Sequence, residues 1–260
     1  MQAAGFTAAY AMSEYGVVYG MVTPVMAIPC AFIGSIALVL VPELSEHFYK
    51  GKTEEVNALT RRALSTTLLI AGLLLPFYIV CGEDVGVFLY SNARSGGMIA
   101  GCALMLVPMS LTLICTSMLN SMGCEKHTLG IFLTGSGAML LCTLFLPKYL
   151  GGGALLAGMA CDSCITALLS LLLICKKTGR LRMGQYCLRL AAAVLPSVGL
   201  GAVAHLLFVR TLGYFPAFAL TMIVTAAGEL LFFGLLRLVD VRALFARFTR
   251  IFKKKGKKIS

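Results

Sequence analysis

Charge is scarce in this 260-residue sequence: 13% of its residues are Asp, Glu, Lys or Arg, against 59% hydrophobic, and its mean hydropathy is +0.90. A water-soluble globular enzyme carries about a quarter of its residues charged, so that class is excluded. Disorder is excluded too, because disordered chains are poor in apolar residues. The longest polar stretch, residues 42–62, is too short for a soluble domain. Lys and Arg are absent before Lys50, and Met1 to Tyr15 has neither the basic start nor the cleavage pattern of a signal peptide. HExxH, GxSxG, a P-loop and a GxGxxG in a strand-to-helix setting are also missing. The sequence therefore gives no support for an enzyme, and no cofactor is expected.

What is present is a succession of apolar runs. A helix needs roughly 20 apolar residues to cross a hydrocarbon core of about 30 Å. Seven stretches qualify: 17–41, 63–82, 98–119, 129–147, 153–175, 188–208 and 217–239. The fold expected is an all-α integral membrane protein, a transmembrane bundle of about seven helices over residues 1–239 with a tail over 240–260. Of the ten Cys, Cys30, Cys115, Cys142, Cys161 and Cys164 lie inside apolar runs and read as small packing residues, not as a disulfide framework. The CxxC at Cys161–Cys164 lacks the second ligand pair or βαβ context that would make it a zinc or redox site.

The formal net charge is +11. If the C-terminus is cytoplasmic, every Lys and Arg except Arg94, Lys148 and Arg210 falls in or beside an inside segment. By the positive-inside rule the expected topology is multi-pass with the N-terminus outside and the C-terminus in the cytoplasm, and the membrane expected is the plasma membrane. In the tail, Val241, Leu244, Phe245, Phe248, Ile251 and Phe252 recur at spacings of three and four. Arg242, Arg247, Arg250, Lys253, Lys254 and Lys255 occupy the other faces, the pattern of an amphipathic helix that binds anionic membrane lipids; nucleic acid is not the expected partner. Residues 42–62 are expected to hold a second surface helix, with Thr53 as its N-cap and Glu54 and Glu55 in its first turn.

Acids within spans cost about 2.5–3.5 kcal/mol each at a helix centre, so each needs a reason. Asp162 falls mid-way along the fifth span, Glu229 mid-way along the seventh, and Glu14 at the outer start of the first. Either they line a water-filled pathway or they form structural hydrogen bonds to a neighbouring helix; Glu14 can also lie in solvent. Pro24, Pro29, Pro76, Pro108 and Pro196 interrupt the spans, and Pro24, Pro29, Pro108 and Pro196 are candidate hinges. Kinked helices suit transporters but occur in any membrane bundle. Ser197 and Gly201 form a small-xxx-small pair suited to close helix packing.

The order of motifs resembles a known family. Gln2-Ala3-Ala4-Gly5, Tyr15-Gly16, Gly20-Met21 with Pro24 and Pro29, and above all Leu40-Val41-Pro42-Glu43-Leu44-Ser45-Glu46 are similar to the stage V sporulation protein B branch of polysaccharide-export flippases. That branch belongs to the MATE-like multidrug/oligosaccharidyl-lipid/polysaccharide exporter superfamily. Leu119-Asn120-Ser121-Met122-Gly123 is a weaker match to the family's LQGLG-like turn, with Asn-Ser in place of Gln-Gly, and makes Asn120 a pathway candidate beside Glu14, Asp162 and Glu229. The resemblance implies two six-helix lobes, often with extra C-terminal helices, that export lipid-linked saccharides for the cell envelope by alternating access. By parity the seven spans match the C-terminal lobe and its extra helices, so a missing N-terminal lobe or self-association is the expected complement. It also implies that 188–208 and 217–239 border a groove for the lipid tail. The family's early pyrophosphate-binding arginine has no counterpart before Lys50.

Two other readings share parts of the pattern. A seven-helix receptor has the same topology, but residues 217–239 show neither an NPxxY-like element nor a retinal lysine. A membrane-embedded lipid or glycan transferase would use Asp162 and His205, whose inferred depths differ.

Overall fold

The computed structural model describes residues 7–179, 183–211 and 214–236, almost all of them helical and with no strand among them. Only helices and closed barrels satisfy every backbone group inside lipid, so a chain this apolar folds locally into helices. Seven helical runs are long and apolar enough to cross a membrane: Ala8–Tyr49, Thr53–Tyr90, Ala93–Ser121, Glu125–Phe145, Gly153–Thr178, Gly184–Val209 and Pro216–Leu235. They correspond one to one with the seven apolar stretches, and the first two extend well beyond their apolar cores.

The first run is α1 (Ala8–Val17), a π-helical turn (Val18–Val22) and α2 (Thr23–Tyr49). Next come α3 (Thr53–Tyr90), then α4 (Ala93–Cys102) and α5 (Leu106–Ser121) separated by a 3-10 turn at Ala103–Met105. The remaining elements are α6 (Glu125–Phe145), the short α7 (Pro147–Leu150), α8 (Gly153–Thr178), α9 (Gly184–Thr211) and α10 (Tyr214–Leu235). The chain divides into two compact units, residues 1–183 and 184–260.

The structure corrects the expectation for residues 42–62. No separate surface helix forms: α2 runs on through Pro42 to Tyr49, and α3 begins at Thr53 after a three-residue turn at Lys50–Lys52. Thr53 is the first helical residue, not the cap, although Glu54 and Glu55 do occupy the first turn. The His47 imidazole lies 2.5 Å from the Glu55 carboxylate, closing this turn.

In the first unit, α2, α3, α5 and α8 enclose a core that includes Ile33, Leu40, Leu44, Leu64, Ile114, Met118, Leu119 and Ile174. The buried face of α3 recurs every three or four residues and is rich in small or polar side chains: Thr60, Ala63, Thr67, Ala71, Gly72, Gly82 and Gly86. Large side chains are not what draws helices together in lipid, where tails are as apolar as leucine; small ones let backbones approach. Accordingly, a Cβ on Gly82 would fall within 2.7–2.9 Å of Ala100, and one on Gly86 would collide with the Gly96 backbone of α4. Asn92 caps α4, its side chain accepting from the amides of Arg94 and Ser95 at 3.0 and 3.3 Å. Helix α6 is the opposite case: only Gly135 is buried, while Leu129, Phe132, Leu133, Leu140, Leu141 and Leu144 are exposed. Such a face is adverse in water and natural in lipid.

The prolines are accommodated in different ways. Pro24 follows the π turn, where the Thr23 hydroxyl donates to the Val18 carbonyl at 2.9 Å. Pro29 is buried in α2, and Tyr78 from α3 serves the carbonyl of Val25 one turn back. Pro108 sits in the first turn of α5, where amides have no intrahelical partner. Pro196 lies inside α9, with Ser197 donating to the Ala193 carbonyl at 2.9 Å.

In the second unit α9 packs on α10, and the Leu200 side chain occupies the space a Cβ on Gly228 would need. Ala217, Thr221, Thr225, Glu229 and Phe233, every fourth residue of α10, are all buried.

Candidate transport face

Asp162 lies nine residues into α8, about 14 Å along it. Its place is set by small residues. The Oδ1 atom lies against Gly135 of α6, where a Cβ would collide with it and with the Thr166 methyl. The Thr166 hydroxyl donates to the Asp162 main-chain carbonyl at 2.7 Å and meets the Thr112 hydroxyl of α5 at 3.2 Å. None of these bonds reaches the carboxylate: Oδ1 is buried without a hydrogen-bond partner, while the residue as a whole is partly exposed. The structural hydrogen bond weighed as one explanation of Asp162 is therefore missing at this atom.

The π turn lies beside the part of α8 that precedes Asp162. Val18 and Val22 share a small apolar cavity with Leu156 and Met159 of α8, and Asp162 is one helical turn beyond Met159. On the outer side of the same segment Tyr15 and Tyr19 stack, ring centroids 4.6 Å apart, and both are exposed. The sequence reading took Tyr15-Gly16 and Gly20-Met21 as family motifs and missed the stack; the i, i+4 spacing of Tyr15 and Tyr19 is the signal that carries it.

Glu14 is not at a solvated entrance. It is fully buried, paired with the Arg94 guanidinium at the start of α4 through Oε1. The contact has ion-pair proximity without hydrogen-bond geometry, and Oε2 has no hydrogen-bond partner. Arg94 also donates to the Tyr10 hydroxyl at 3.3 Å and stands 5.6 Å from the Tyr10 ring centre. Gly152, in the turn before α8, closes the group: any Cβ there would overlap the Glu14 carboxylate. Arg94 was read only as one of three outside basic residues; its spacing of 80 positions from Glu14 gives no local signal of the pair.

Glu229 is buried in α10, and its Oε1 has no hydrogen-bond partner. Asn120 is exposed in the last turn of α5, eight residues and about 12 Å along the helix from Thr112, so it does not join Asp162. Arg242, Arg247, Arg250, Lys253, Lys254 and Lys255 lie outside the described residues. Among the described residues no group of three or more His, Cys, Asp or Glu is arranged to hold a metal ion, and all ten Cys are unbridged.

These features define an all-α, multi-pass membrane protein with acidic side chains inside its helices. Comparison with protein-family models and with curated proteins finds no match to this chain.

Proposed function

We propose that the protein is one lobe of a membrane flippase that exports lipid-linked saccharides for the cell envelope. The observation that carries the reading is Asp162, a partly exposed carboxyl group with an unpartnered oxygen, well inside an otherwise apolar helix. Facing lipid, such a group is strongly disfavoured; facing a water-filled pathway, it is not. The Leu40–Glu46 segment and the span order supply the substrate class through their resemblance to polysaccharide exporters. The second wall of the pathway is another helix bundle, either an N-terminal lobe or a second copy of this chain, and alternating access arises as the two walls rock.

The membrane is the plasma membrane, N-terminus outside. Support lies in the ends of the helices: Lys50, Lys52, Lys126, Lys176 and Lys177 fall at one end of the first unit, and Arg94 and Lys148 at the other.

The test is reconstitution into vesicles with a polyprenyl diphosphate-linked disaccharide, following protection of the sugar from an added lectin. Headgroups are expected to exchange between leaflets faster than in protein-free vesicles. Equal rates, with the protein alone and with any complementing lobe co-reconstituted, contradict it.

A further inference from the structure

Lys126, His127 and Lys176 meet at one open groove of about 580 Å³ between α6 and α8. The two helices run antiparallel: Gly135 of α6 lies against Asp162 of α8, and Gly158 of α8 against Met139 of α6. That register carries the start of α6 to the end of α8. Lys126 is the second residue of α6 and Lys176 the third from last of α8, so both stand at the groove's mouth. Among the described residues neither lysine is in an ion pair, and no carboxylate lines the groove. From the mouth the groove runs toward the middle of the membrane along Ile131, Leu169, Leu172 and Leu173. Thr134 and Leu169 mark its inner end, about 10–12 Å along the helices from the two lysines. That depth is most of one hydrocarbon leaflet, about 15 Å. The Thr134 hydroxyl is used within α6, donating to the Gly130 carbonyl at 2.8 Å, so the walls offer apolar contact.

We propose that this groove binds one anionic glycerophospholipid of the adjoining leaflet, its phosphate held by Lys126 and Lys176 and one acyl chain laid between α6 and α8. Basic pockets between transmembrane helices attract anionic headgroups, and a lysine-to-phosphate bond is charge-assisted. A zwitterionic headgroup is a poorer match, because its ammonium finds no carboxylate in the lining. A soluble phosphate would meet the lysines alone, whereas the apolar walls select a ligand that brings its own chain. The lipid also has a structural role: α6 buries only Gly135 and packs chiefly on α8, so a chain lying across both ties α6 to the bundle. The site is separate from Asp162 and does not rest on the saccharide-flippase reading.

The sequence contains no tryptophan, so a single introduced indole reports lipid contact without background. The full chain carrying Leu168→Trp, an exposed position one turn deeper than Leu172, is reconstituted in mixtures of phosphatidylglycerol and phosphatidylethanolamine. One lipid at a time bears brominated chains, which quench the indole on contact. Phosphatidylglycerol is expected to occupy this position with about tenfold preference. With Leu141→Trp instead, exposed on α6 well beyond the groove, the two lipids should quench alike. Adding Lys126→Ala and Lys176→Ala should bring the preference at position 168 to within about twofold. Lys50→Ala with Lys52→Ala, at the same end but outside the groove, should leave it intact. Gly130→Leu adds bulk where a Cβ would meet nothing within 4 Å, and should lower the preference without lowering thermal stability. A preference that survives both Gly130→Leu and the loss of Lys126 and Lys176 overturns the site. So does equal quenching by the two lipids in the otherwise unaltered chain. A preference lost equally with either lysine pair overturns it in favour of diffuse attraction to a basic surface. Reversal of the quenching by soluble glycerol phosphate assigns the lysines to a free phosphate and overturns the lipid occupant.

Discussion

The Tyr78 hydroxyl in α3 donates a 3.0 Å hydrogen bond to the main-chain carbonyl of Val25 in α2, the group that Pro29 leaves without its helical donor. In lipid no water replaces that lost bond, so the proline is tolerated because a neighbouring helix supplies the proton. At Pro29, α2 is therefore pinned to α3. Pro24 differs: it is exposed and follows a π turn.

Removing the hydroxyl should show this coupling. Tyr78→Phe leaves the buried Val25 carbonyl unsatisfied and should destabilise the protein by about 1–3 kcal/mol. Adding Pro29→Ala restores an amide at position 29 and should recover part of the loss, so that the double change falls short of the sum of the singles. Steric trapping or denaturant unfolding in micelles, run as a double-mutant cycle, measures the difference.

The approach of α3 to α4 predicts a sharp contrast between two neighbouring glycines. Gly96→Ala would push a methyl group into the Glu83 backbone, whereas Gly97 faces open space. Gly96→Ala should destabilise by about 1–3 kcal/mol, and Gly97→Ala by no more than a few tenths of a kcal/mol. Melting temperatures in one detergent would suffice to compare them.

The Glu14 and Arg94 pair makes a third prediction. Arg94→Ala strands a buried carboxylate and should cost about 1–3 kcal/mol, an amount moderated because the guanidinium is half exposed. Glu14→Gln combined with Arg94→Gln removes both charges and should be less harmful than Arg94→Ala alone. Equal losses in the single and double variants, measured by thermal unfolding, would show that the charge pair is not what holds α1 to α4.

The sequence made the helices legible because crossing lipid demands about twenty apolar residues and little else resembles such a run. It left the helix faces hidden for the same reason: residues are apolar all round, and the side that packs differs only in size. Gly82 and Gly86 mark the α3–α4 contact in retrospect, yet their spacing alone does not say which helix they meet. The 42–62 segment misled because its polar residues set it apart from the apolar run, whereas α2 continues through Pro42 to Tyr49. Asp162 stood out at once as an acid in an apolar run. Its neighbour Gly135 comes from another helix, and no local pattern connects the two.

The most direct measurement concerns water at the Asp162 face. In a background without native cysteines, single cysteines at positions 162, 132, 140 and 141 would be exposed to a charged, membrane-impermeant thiosulfonate in vesicles. If this face lines a transport pathway, position 162 reacts readily while 132, 140 and 141 on α6 stay inert in lipid. An inert cysteine at 162, matching those on α6, would contradict that reading.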